Sequence, residues 1–340
     1  MQLSVVMPSN RTGLSAYARI LDACACADEN IEVVIRDNSG SPEKRDFLSR
    51  IVQKNCHVVI VDPCNAIENS LAALSLAQGD FVIFVGDDDS VARTSLRAVA
   101  DLTAKVRADF SVAGITGEYI IEGSTKTTLF RYPPLDSASA SQRLADYLEG
   151  GPNLLLYSAI RSQLVTQVTS FYKTLPFYFS FLDQLVALMY LASGKFVSID
   201  RVLYQYDNSN WDTCGRAIQS DLRYYYDCGL DGSVLRLHWL ICGLEGAKLV
   251  LGKCPVINLS PDERQAVAAR WFRTNYQRFR LGGMCRTDAS SRFDQHAVAL
   301  CKKWMEITAI SLDQLLADLT GLLALSNLEG ACKYFDFWKD

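Results

Sequence analysis

The sequence is short of the features that assign a function at sight. Its 340 residues hold only three histidines, and none of its eleven cysteines forms a CxxC pair. This argues against zinc ligation, and the thiols read as reduced core or surface groups of a cytoplasmic protein. Cys24-Ala25-Cys26 falls in a predicted helix, where the two side chains diverge. Basic residues are not in excess: 34 Lys and Arg stand against 38 Asp and Glu, a net charge of −4, so there is no electrostatic footprint for nucleic acid. No uncharged apolar run of about 18 residues occurs, since the richest late stretch is interrupted by Arg236, His238, Glu245 and Lys248. Met1-Gln2-Leu3-Ser4 enters a short strand without the basic lead and long apolar core of a secretory signal. A dehydrogenase would want GxGxxG, which is missing, and a nucleotidyltransferase would want a Gly-rich basic loop where Pro8-Ser9-Asn10-Arg11-Thr12-Gly13 stands.

What is present is an ordinary globular composition, 49% hydrophobic and 21% charged, long enough for two domains or for one with an appendage. The first 115 residues alternate strand and helix signals. Strands are expected over 3–7, 31–36, 58–61 and 81–85. Between them lie helices marked by Leu14, Tyr17, Ala18 and Leu21, by Phe47, Leu48, Ile51 and Val52, and over 66–78. This rhythm predicts an α/β fold with a mainly parallel, Rossmann-like sheet, helices on both faces and ligands at the carboxyl ends of the strands. A helix over 92–105, a strand over 110–115 and a hairpin around Gly123-Ser124 follow. Gly150-Gly151-Pro152 breaks the chain, a helix over 182–192 stops at Gly194, and 195–206 reads as extended. From Gly215 the pattern is helical, as in Val234, Leu237, Ile241 and Leu244. The expected division is an α/β domain over 1–214, in two halves over 1–115 and 116–214, and a helical domain over 215–340.

The strongest chemical signal is Gly86-Asp87-Asp88-Asp89-Ser90, directly after the apolar run Phe81-Val82-Ile83-Phe84-Val85. Three carboxylates at a strand end repel one another and resist desolvation, so a hard cation with oxygen ligands is expected there, bridged to phosphate. The competing reading is that they cap the next helix. Pro8-Ser9-Asn10-Arg11 follows the first strand and Asp37-Asn38-Ser39 the second, which puts both loops on the same sheet edge. Asp37 can accept from a base imide N–H and Arg11 can meet a phosphate. Either loop alone would pass as a turn.

Val5-Val6-Met7-Pro8-Ser9-Asn10-Arg11, Glu32-Val33-Val34-Ile35-Arg36-Asp37-Asn38-Ser39, and Asn65 to Asn69 with Gly79 to Asp89 resemble, in this order, the signature of family 2 glycosyltransferases of the GT-A fold. The resemblance covers about residues 3–206. It implies that Asp37 binds a nucleobase, usually uracil, that Asp87 or Asp88 contacts the ribose, and that Asp89, with Asp87, ligates Mn2+ or Mg2+ at the diphosphate. Asn69 matches a position near the nucleotide. Phe179-Ser180-Phe181-Leu182-Asp183-Gln184 is similar to the segment that supplies the catalytic carboxylate, so Asp183 is the expected base, although an N-cap role is compatible. A late histidine common in the family is missing from Tyr204-Gln205-Tyr206-Asp207-Asn208-Ser209-Asn210-Trp211, which leaves Asp207, Asn208 or Asn210 as substitutes, or the ion to Asp89, phosphates and water alone.

The aromatic residues Phe177, Tyr178, Phe179, Tyr204, Tyr206 and Trp211 read equally as acceptor site or as core. His238 is the one histidine with any claim on the site. The implied activity is metal-dependent, inverting transfer of a sugar from a nucleoside-diphosphate donor, UDP-linked, to a glycan or lipid-linked glycan in bacterial surface polysaccharide synthesis. The helical region could dock on the inner face of a membrane or form a homo-oligomer. A nucleotidyltransferase and a non-catalytic glycan-assembly scaffold are the rivals.

Overall fold

The structure, a computed structural model, describes residues 1–149, 152–177, 182–209, 211, 213–282, 292–307 and 310–339. It divides into two units. The first is Met1–Ser170 with Ser193–Ser209, and the second is Phe171–Ala192 with Asn210–Asp340.

The first unit is built on a nine-stranded mixed sheet: β1 (Leu3–Ser9), β2 (Ile31–Asp37), β3 (Cys56–Ile60), β4 (Phe81–Phe84), β5 (Ser90–Val91), β6 (Val112–Glu122), β7 (Thr127–Arg131), β8 (Ala159–Arg161) and β9 (Lys195–Asp207). Their order is β3-β2-β1-β4-β8-β6-β9-β5, with β7 also paired to β6. The first four are parallel, as the alternation of strand and helix predicts. In β1 and β2 residues of both parities are buried, so both faces are covered, and helices Leu14–Cys24, Pro42–Ser49, Ala66–Leu74 and Arg93–Val106 alternate with these strands along the chain. Antiparallel pairing begins at β4 and β8 and returns in the β6–β7 hairpin, which closes at Glu122↔Thr127 around the expected turn.

Several element ends differ from expectation. The second helix stops at Ser49, capped at its start by the Ser41 hydroxyl, and leaves Val52 beyond it 93% exposed. The third ends at Leu74 rather than near residue 78. The first ends at Cys24, so Cys26 lies outside it, and Cys24 Sγ sits 3.0 Å from Cys56 Sγ at the start of β3.

The second unit is helical. Helices Leu182–Ser193, Cys214–Asp227, His238–Lys248, Pro261–Gly282, Arg292–Glu306, Leu312–Leu323 and Leu328–Trp338 bury Trp271, Trp304 and Trp338 completely. Gly246 gives room for the Trp271 ring, where any Cβ would collide, and the indole Nε1–H donates to the Cys242 carbonyl at 2.9 Å. Arg236 and Asp294 form a buried ion pair at 2.6 Å. Among the described residues no helix is long and apolar enough to cross a membrane.

Candidate active site

Parallel pairing brings the ends of three strands to one edge. Ser9 of β1 stands opposite Asp37 of β2, and Val6 of β1 opposite Phe84 of β4. The loops that leave these strands carry Asn10 and Arg11, Asn38 and Ser39, and Asp87 to Asp89. Their side chains are tied into one network by a residue that sequence reasoning passed over, Lys44. Its ammonium, fully buried, donates to Ser9 Oγ at 2.6 Å and the Arg11 carbonyl at 2.7 Å, and pairs with Asp37 Oδ1 at 2.7 Å. Lys44 lies in the first turn of a short, largely polar helix, where a lysine reads as solvated. Only the fold turns it inward.

The three aspartates have separate surroundings. Asp87 is buried, and its Oδ2 accepts from Ser9 Oγ at 2.8 Å and from the amides of Asn10 and Arg11 at 3.0 and 2.9 Å. Arg11 Nε lies 3.3 Å from its Oδ1. Asp87 thus anchors the β1 loop. Asp88 is half-buried and bonded by the half-exposed Arg11 guanidinium. Burial raises its pKa, Arg11 opposes that, and the charges of Asp87 and Asp207 add to the rise.

Asp89 is 3% exposed. Its Oδ2 accepts the Tyr204 hydroxyl at 2.7 Å and its Oδ1 the Asp207 amide at 2.7 Å. Desolvation first, and then the Asp88 charge, push its carboxyl up to about 7. None of the three caps the next helix, which begins at Arg93 with Ala92 at its N-cap and no side-chain cap.

Asp37, 1% exposed, has Lys44 on Oδ1 and the Ser39 hydroxyl on Oδ2 at 2.9 Å. Asn38 Nδ2 donates to the Cys64 carbonyl at 2.7 Å. Asn69 Nδ2 donates to Asn38 Oδ1 at 3.0 Å, and Asn69 Oδ1 accepts from Arg36. Asn69 therefore braces the β2 loop. Pro8 is half-buried in the last turnout of β1, while Asn10 and Arg11 are exposed and reachable by a ligand.

Tyr204, counted with the aromatic residues of an acceptor face, belongs to the carboxylate cluster. Fully buried, its hydroxyl accepts from the Gly86 amide at 3.0 Å and donates to Asp89, and its ring lies 4.6 Å from that of Tyr157. Tyr157 also lies 5.3 Å from Tyr206. Asp207, the first candidate in the histidine-less segment, reaches Asp89 through its backbone N–H. Asn208 is bonded through its own N–H to the Glu122 carbonyl at 2.8 Å. Asn210 lies outside the described residues.

Among the described residues no group of three or more His, Cys, Asp or Glu side chains is placed to hold a metal ion. Two carboxylate oxygens nevertheless converge over Gly86: a Cβ there would stand 2.6 Å from Asp89 Oδ2 and 2.8 Å from Asp88 Oδ1. Only glycine lets both carboxylates come so close to the backbone there. Two hard oxygen donors, of which only Asp88 has a cation, Arg11, beside it, suit Mg2+ or Mn2+, which one or two carboxylates hold together with phosphate and water. The donor set of Asp88 and Asp89 therefore fits a divalent cation, while the oxygens of Asp87, the other expected ligand, face Ser9, Asn10 and Arg11.

Asp183 belongs to the second unit, in the first turn of Leu182–Ser193, half-buried, with Oδ1 accepting from the Gln184 amide at 2.8 Å. Its charge raises the pKa of Tyr172, Tyr224 and Cys242, each of which is raised first by burial. Phe179, Ser180 and Phe181 of the same motif, and Tyr178, lie outside the described residues. Phe177 packs on Tyr334 with ring centroids 5.8 Å apart and is core. His238 is buried, its Nδ1 3.1 Å from the Tyr225 hydroxyl, and it serves the helical core.

Against known proteins, residues 4–155 match the family described as Glycosyl transferase family 2. No curated protein matches the chain. Among solved structures, S. aureus TarS 1-349 is similar over all of this chain and 89% of that chain, at 14% identity and a TM-score of 0.56. Its complexes with UDP and with UDP-GlcNAc align over all of this chain and 90% of theirs, at 15% and 16% identity and a TM-score of 0.53 each. At such identities the likeness shows the fold, and the fold is GT-A.

Proposed function

From the premise that residues 4–155 belong to glycosyl transferase family 2, we propose that this glycosyltransferase takes its sugar from a UDP-linked donor. The observation that carries this reading is the convergence, at one sheet edge, of the loops that carry Asn10 and Arg11, Asp37 and Asn38, and the three aspartates. The crystal structures of TarS with UDP and UDP-GlcNAc lend it support through the shared fold. Arg11, exposed beside Asp88, meets the diphosphate. Asp37 accepts from the base imide when the Ser39 hydroxyl gives way, with Asn38 and Asn69 bracing its loop. Asp87 holds Ser9, Asn10 and Arg11 in place for that contact.

Asp89 and Asp88 would hold Mn2+ or Mg2+, which would supply positive charge to offset the negative charge developing on the departing diphosphate. Asp183 takes the proton from an acceptor hydroxyl as that oxygen attacks the anomeric carbon and the bond to the diphosphate breaks. One in-line displacement inverts the anomeric centre. The acceptor is a glycan or lipid-linked glycan of a bacterial surface polysaccharide. The chain works in the cytoplasm or at the inner membrane face, with residues 1–214 as the catalytic part and 215–340 available for membrane docking or self-association.

The test is a panel of nucleotide sugars assayed for metal-dependent binding and slow hydrolysis. The reading expects UDP-sugars to bind and to hydrolyse slowly with Mn2+ or Mg2+. A panel in which no nucleoside diphosphate binds would sink it.

A further inference from the structure

Lys44 is the most enclosed charged group in the first unit. Its ammonium donates to Ser9 Oγ and to the Arg11 carbonyl, and forms an ion pair at 2.7 Å with Asp37 Oδ1, a buried oxygen that has no hydrogen-bond partner. Both partners of the Lys44 and Asp37 pair are out of water, with side chains 0% and 1% exposed. Two buried charges so placed are interlocked: either one alone would be left as an uncompensated buried charge. The pair stands at the end of β2, where the half-buried Ser39 donates to the other oxygen of Asp37.

We infer that Lys44 is a positioning residue for nucleobase selection, because its buried ammonium pairs with Asp37 and fixes the carboxylate that accepts from the base. This inference rests on the proposed donor pocket. An ionised carboxylate accepts and cannot donate, whereas a carboxylic acid does both. Uracil presents an imide N–H where cytosine presents a ring-nitrogen lone pair. Facing an acceptor-only Asp37, uracil is bound and cytosine is repelled. Without the ammonium, Asp37 loses the ion pair that fixes its carboxylate at the end of β2, and the discrimination collapses. The same ammonium holds Ser9, which donates to Asp87, so its loss also loosens the Asn10–Arg11 loop and weakens every nucleotide alike. The ratio between two bases separates the electrostatic role from that general loosening.

The experiment is calorimetric titration of the full chain with UDP and with CDP, in Mn2+, for the wild type, Lys44→Met, Lys44→Gln and Asp37→Asn. Circular dichroism checks each fold. The wild type should prefer UDP by at least about tenfold, as expected of a site built to hydrogen-bond one base edge. In Lys44→Met the preference should fall within about threefold, with UDP itself bound more weakly. Lys44→Gln, which keeps hydrogen-bonding capacity but no charge, carries the same test should Lys44→Met not fold. A folded Lys44 variant that keeps the wild-type ratio while Asp37→Asn loses it overturns the role of Lys44 and leaves the donor reading intact. A wild type that does not discriminate defeats base recognition by Asp37, and the inference with it.

Discussion

Asp89 shows how single residues set the site's chemistry. Buried and beside Asp88, it is short of positive charge, yet Tyr204 below it and the Asp207 amide keep it oriented. Two substitutions probe this arrangement. Gly86→Ala puts a methyl group 2.6 Å from Asp89 Oδ2 and 2.8 Å from Asp88 Oδ1, so UDP affinity in Mn2+ should fall by about tenfold or more. Titration calorimetry measures this, and an unchanged affinity would take the carboxylate pair out of the nucleotide site. Tyr204→Phe strands the Gly86 N–H and one hydrogen bond of Asp89, and should cost about 1–3 kcal/mol in urea unfolding. A loss below the error of the measurement would mean that water takes over both bonds.

At this scale the sequence was only partly readable. Asp37 and Asp87 to Asp89 could be found because each follows an apolar strand. Lys44 and Tyr204 could not, since an ammonium on a polar helix and a tyrosine in an aromatic cluster look the same whether they face solvent, core or site.

Among the elements, β1, β2 and β4 were legible as near-continuous apolar runs because both sheet faces are covered. Helix ends were less so. Ile51 and Val52 continue an apolar pattern past Ser49, but the exposed Val52 shows that the pattern outlasts the helix. The antiparallel return through β8 depends on three residues only, too few for any periodicity.

Helix His238–Lys248 carries a pH prediction of its own. Glu245 is buried within it, and desolvation raises its pKa from 4.5 to about 8, partly offset by a hydrogen bond to Tyr334. The folded chain therefore binds more protons than the unfolded chain between about 4.5 and 8, so this group's contribution to stability is full below that window and is lost as pH rises through it. Between pH 5 and 8 the wild type should lose stability relative to Glu245→Gln by on the order of 1 kcal/mol per pH unit. Parallel pH profiles for the two proteins would show that Glu245 is ionised in the native helix.

For the whole molecule, the proposed donor groups and the proposed base lie on different units. Asp37 and Asp87 to Asp89 belong to the first, within the family match, and Asp183 to the second. That separation predicts a clean division of effects. Asp183→Asn should bind UDP-sugar as the wild type does but lose transfer by about a hundredfold or more, and unchanged transfer would remove Asp183 from the base role. The apolar pattern of 215–340 announced helices but not a task for them, because amphipathic faces look alike whether they meet a neighbouring helix, a second chain or a lipid surface.

The account's central claim is that the strand-end carboxylates form a metal-assisted nucleoside-diphosphate site. The most direct measurement is UDP binding with and without Mn2+, on the wild type and on Asp89→Asn. The account predicts that Mn2+ strengthens UDP binding to the wild type by at least about tenfold and does little for the variant. Equal binding with and without the metal, or an undiminished metal effect in Asp89→Asn, would contradict it.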